Sequence, residues 1–100
     1  MVKVKLPGED EINRGLANLN SGEDLTVEGL LVAIGRPRLL ALGHRRIPSI
    51  REPEHKLYAL LEKEHGDSTH SVYNSWIRKL VSYERACACA NTQTRDESVH

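Results

Sequence analysis

From Val72 to Cys87 the large side chains recur three and four residues apart: Val72, Tyr73, Trp76, Leu80, Tyr83 and Cys87. A strand needs a period of two, whereas this spacing lays one stripe along a helix. The stripe carries three of the chain's four aromatic residues, and there is no Phe. A core built from Leu, Ile, Val and Ala suits packed helices better than a β-sandwich. The 100 residues suffice for one domain with an adequate core. The expected fold is therefore all-α, a small bundle of four main helices plus one short helix, in a single domain.

Helical faces and breakers divide the rest of the chain. Met1–Leu6 alternates apolar and basic residues and ends at Pro7-Gly8. Residues 1–7 are read as an extended lead-in, with an edge strand pairing across a dimer as the alternative. Two 14-residue blocks follow, 8–21 and 22–35. They match at five positions, including Gly-Glu-Asp at the start and Gly-Leu in the middle. Ile12, Leu16 and Leu19 form the face of a first helix. Val27, Leu30, Leu31 and Ile34 form that of a second, with the turn near Asn20–Gly22. Acids near each helix start account for the match by favourable interaction with the helix dipole, and a true duplication is the alternative. Gly15 and Gly29 fall mid-helix, where close helix–helix approach would offset their low propensity.

Gly35 is read as ending the second helix and Pro37 as opening a short third one, 37–42, with Leu39, Leu40 and Leu42 buried. Residues 44–52 form a loop pinned by Ile47 and Ile50. Pro53 opens a fourth helix to His65, with Leu57, Tyr58, Leu60 and Leu61 inward. Asp67 or Ser68 caps a fifth, expected to run to about Ala90 and to be the spine of the core. The helical domain is thus 8–90, and 91–100 is read as a disordered C-terminal tail.

Net charge is zero, but the charges are segregated. Residues 36–51 hold Arg36, Arg38, Arg45, Arg46 and Arg51 with no acid, whereas Leu6–Gly35 holds six acids and a single base, Arg14. Guanidinium forks grip phosphates bidentately, and arginine throughout fits that chemistry better than general solubility. These five arginines are the candidate anion-binding or nucleic-acid-binding residues. The expected function is a small helical binding or regulatory module that engages an anionic partner, nucleic acid or an acidic protein surface, through 36–51. The first alternative is a protein–protein interaction module whose arginines pair internally with the acidic hairpin.

A second alternative comes from Gly66-x-Ser68-x-x-Ser71-Val72-Tyr73. This run, inside the helix–turn–helix stretch 61–76 of 16 residues, resembles the Gly-x-Ser-x-x-Thr-Val-Tyr segment of helix-turn-helix proteins. The resemblance implies DNA binding by 54–80, with Thr69, His70 and Asn74 facing bases and Arg78 and Lys79 facing phosphates. His65 and Asp67 depart from the pattern, which usually has apolar residues there.

Other chemistry is poorly represented. Cys87 and Cys89 point about 200° apart on one helix and cannot chelate one ion there. Cys87 is expected in the core and Cys89 at the surface. No nucleophile, base and orienting group assemble, and no glycine-rich phosphate loop occurs, so neither an enzyme, a cofactor nor a metal site is expected. Unpaired cysteines and the lack of a signal-peptide pattern point to a cytoplasmic protein without membrane contact. Oligomeric state is not readable from the sequence.

Overall fold

The computed structural model describes the backbone of residues 6–99 and the side chains of residues 6–90. It is all-α: α1 (Glu9–Asn20), α2 (Val27–Ile34), the short α3 (Arg36–Ala41), α4 (Pro53–His65), a 3-10 turn (Gly66–Ser68) and α5 (Thr69–Val99). No strand occurs among the described residues. The lead-in expected over 1–7 lies largely outside them. α5 extends past Ala90, and the side chains of the expected tail are likewise outside the described set.

The two similar blocks fold in different registers. Gly8 (φ 76°) sits immediately before α1, whose first turn carries Glu9, Asp10 and Glu11. Gly22 (φ 89°) instead closes α1, and α2 begins only at Val27. The cap of α2 is Thr26, not the acids Glu23 and Asp24. Its Oγ1 accepts from Gly29 N at 3.0 Å and from Asn18 Nδ2 at 2.9 Å, fixing the new helix to α1. Gly29 therefore lies in the first turn of α2 rather than mid-helix. Gly15 is the true point of close approach: a methyl group there would overlap the Glu28 carbonyl oxygen and lie 2.5 Å from Val32 Cγ2.

The spine of the core is α2, not α5. Leu30, Leu31 and Val32 have no exposed surface, and the helix packs against α1, α3, α4 and α5. Glu28 is the one charged residue of α2, so its face of Val27, Leu30, Leu31 and Ile34 stands out less than that of a surface helix with a broad polar side. α5 lays Leu80 and Tyr83 into the core, with Val72, Tyr73, Trp76 and Cys87 half-buried along the same stripe. α4 contributes Leu57 and Leu61. Leu39 is fully buried from α3, but Leu40 is 38% exposed, contrary to expectation, and Leu42 is half-buried. A six-residue helix offers the core one narrow face, and Leu39 occupies it.

Candidate functional site

The Arg-rich segment begins where α2 ends. Gly35 serves both as the last cap of α2 and as the start of α3, so the chain turns without a loop. Gly43 (φ 104°) then stops α3, and His44 N returns to Leu39 O at 3.0 Å. Two side-chain bonds hold the following loop against the helices. Tyr83 Oη and His44 Nε2 lie 2.8 Å apart, with the ring centroids at 5.7 Å. Burial, reinforced by Cys87 and by the charge of Glu9, pushes the Tyr83 phenol upward, so it remains protonated. The second bond uses Arg36, whose Nε donates to Ile47 O at 2.7 Å, while the Ile47 side chain enters the core.

The five arginines thus divide into different roles. Arg36 is half-buried and staples the loop. Arg38 lies 3.7 Å from Glu84 of α5 through Nη1, with its side chain 77% exposed. Arg45, Arg46 and Arg51 are exposed and form no ion pair among the described residues. The acidic hairpin does not neutralise them. Glu28 pairs with Arg14 at 3.4 Å, and Glu11 pairs with Lys79 at 3.4 Å.

Arg46 adds a backbone signal. Its φ is 59°, in the left-handed region that costs a non-glycine residue about 1 kcal/mol or more. Glycine would relieve that strain, although it would also lose more chain entropy on folding. Arg46→Gly is therefore expected to match or exceed the parent's stability, by up to about 1 kcal/mol. Arg36→Ala is expected to lose about 2 kcal/mol, because a charged donor to a carbonyl disappears. Urea denaturation of both variants checks this opposition. A destabilised Arg46→Gly would mean that the arginine itself holds the loop.

Glu84 is the buried charge beside this surface. Only 7% of the residue is exposed, and burial raises its carboxyl above the ordinary value of 4.5, with Arg38 offsetting part of the effect. A raised folded-state value means that the native state binds this proton more tightly than the unfolded chain. The Glu84 contribution therefore makes the protein more stable as pH falls through the raised value, and less stable above it. Glu84→Gln removes that dependence. The variant is expected to be at least as stable as the parent at neutral pH, and its advantage should shrink as pH is lowered. Thermal denaturation across the acidic range measures the difference.

The residues suggested by the helix-turn-helix resemblance are scattered in role. Thr69 is buried and its hydroxyl donates to Gly66 O, so it closes the 3-10 turn instead of facing outward. Asn74 is half-buried, while His70 and Arg78 are exposed. Lys79 is engaged twice, by Glu11 and by the Trp76 ring at 4.7 Å. Tyr58 and Tyr73 meet between α4 and α5 with centroids 5.5 Å apart and ring planes tilted by 56°. These roles are those of a packed helix pair. They leave two of the five suggested residues outward-facing and without a partner among the described residues.

Sequence reasoning missed Glu84 and Tyr83 as neighbours of the arginine segment, and with them the contact of Tyr83 to His44 inside it. Their separation in sequence carries no periodic signal. A lone acid on the apolar side of the α5 stripe was the available clue. Cys87 is half-buried and Cys89 exposed, both as free thiols. Among the described residues no three His, Cys, Asp or Glu side chains gather to hold a metal ion, and no helix is long and apolar enough to cross a membrane. No protein-family model, curated protein or solved structure matches this chain.

Proposed function

We propose that this chain is a small helical binding module that engages an anionic partner, nucleic acid foremost, through the Arg-rich segment 36–51. The observation that carries this reading is the exposure of Arg45, Arg46 and Arg51 without ion pairs among the described residues, while Glu11 and Glu28 pair with bases outside the segment. Arg45, Arg46 and Arg51 would contact phosphates directly. Arg38 would join them from its loose contact with Glu84. Arg36, His44 and Tyr83 would position the loop. The left-handed Arg46 supports the reading, because a loop selected for stability alone would favour glycine there. The free thiols support a reducing, cytoplasmic setting.

Fluorescence anisotropy with a labelled DNA duplex and a labelled single-stranded RNA, across a salt series, tests the proposal. Four phosphate contacts give a log–log salt slope of about −3.6 on duplex DNA and about −2.8 on a single strand. A flat salt dependence, or no binding at low salt, would remove nucleic acid as the partner.

A further inference from the structure

Between α3 and α5 two adjoining hollows, of about 280 and 310 Å³, share Arg38, Val81 and Glu84. Leu42 and Ala88 help to wall one, and Ile34 and Ile77 the other. Glu84 lies where they meet, with its side chain only 8% exposed. Gly35 makes room for it: a methyl group at that position would lie 3.1 Å from Glu84 Oε2. Its ion-pair partner among the described residues is the Arg38 guanidinium. At 3.7 Å it is beyond hydrogen-bond reach, and most of its side chain is in solvent. Among the described residues, no hydrogen bond to this carboxylate accompanies that ion pair.

Glu84 is thus a largely buried carboxylate whose oxygens keep contact with solvent, set between two apolar hollows with only a loose ion pair to Arg38. We propose that the α3–α5 groove binds a small organic amine, with its ammonium on Glu84 and its apolar body in the flanking hollows. The ammonium supplies the hydrogen bonds that Arg38 does not reach, in an environment of low polarity where they count for more. The hollows approach the size of small-ligand pockets. Arg38 and the exposed Arg85 stand at the rim, where solvent screens them. An anion entering the groove would be drawn to that rim and repelled at the floor. This inference does not depend on how the Arg-rich loop is used.

Amide NMR titrations of the full chain at neutral pH test it with three probes of equal length: hexylammonium, 1-hexanol and hexanoate. Hexylammonium should give saturable shifts within 34–42 and 77–88, with an affinity about tenfold or more above that of hexanol, one hydrogen-bonded charge being worth at least that factor. Hexanoate should bind more weakly than either. Arg38→Ala removes a competing cation and should tighten hexylammonium binding, and Glu84→Gln should abolish the preference for ammonium over alcohol. Should Glu84→Gln fail to fold, hexylammonium affinity in the parent must still fall as pH is lowered through the Glu84 titration. Three results overturn the proposal: no saturable shifts, equal affinity for ammonium and alcohol, or a preference for hexanoate.

Discussion

Replacing Gly15 with alanine is expected to destabilise the protein by about 3 kcal/mol, opposite in sign to the helix-propensity effect. In an exposed helix interior the same change gains about 1 kcal/mol. Here the added methyl would overlap a backbone carbonyl, Glu28 O, and crowd Val32 Cγ2 at 2.5 Å. A carbonyl in the first turn of α2 cannot swing aside, so α1 and α2 must move apart. That separation disturbs Leu30, Leu31 and Ile12, all fully or almost fully buried. Gly35→Ala is the internal control. Its methyl would meet Leu80 Cδ1 at 2.7 Å and Glu84 Oε2 at 3.1 Å, both ends of flexible side chains. Its expected cost is nearer 1 kcal/mol. Chemical denaturation of the two variants gives the ranking, and equal losses would mean that the α1–α2 contact is no tighter than the α3–α5 one.

This contrast shows how far the sequence could be read. The mid-helix position of Gly15 suggested close approach, and the approach is there. Gly29 raised the same expectation and instead lies in the first turn of α2, because Thr26 starts that helix four residues later in its block than α1 starts in its own. The stop and start residues were legible because glycine and proline act locally: α4 runs from Pro53 to His65 as the sequence indicated. The identity of the spine was not. Amphipathic periodicity reports a helix with one wet face, which α5 has. The eight-residue α2 also showed a face, Val27, Leu30, Leu31 and Ile34, but with Glu28 as its one charged residue that face does not tell a buried helix from a surface one. Leu40 was misread because a run of leucines does not say which one a six-residue helix will bury. At the candidate site, the arginine cluster was visible as composition. Which arginine staples the loop and which ones face solvent depends on Ile47 O and Glu84, contacts set by tertiary packing.

The second large effect concerns binding. Substituting Arg45, Arg46 and Arg51 together by alanine should weaken nucleic-acid binding about 100-fold at low salt, taking about 1 kcal/mol per exposed charge contact. The salt slope on duplex DNA should become shallower by about 2.7, leaving the share of Arg38. None of the three side chains forms an ion pair among the described residues, so stability should change by no more than about 0.5 kcal/mol per site. This separation of binding from stability is the useful part of the experiment. Retained affinity with an unchanged slope would assign the anion site elsewhere. Lost affinity with lost stability would mean that the loop, not its charge, had been damaged.

Mapping the contact residue by residue tests the central claim most directly. Backbone amide shifts would be followed while a short mixed-sequence DNA duplex, and then a single-stranded RNA, is added at low and at moderate salt. The proposed function predicts salt-sensitive shifts concentrated in 36–51, strongest around Arg45, Arg46 and Arg51. Shifts confined to 68–79 would move the interface to the start of α5, and the absence of shifts with either ligand at low salt would contradict nucleic-acid binding by this chain.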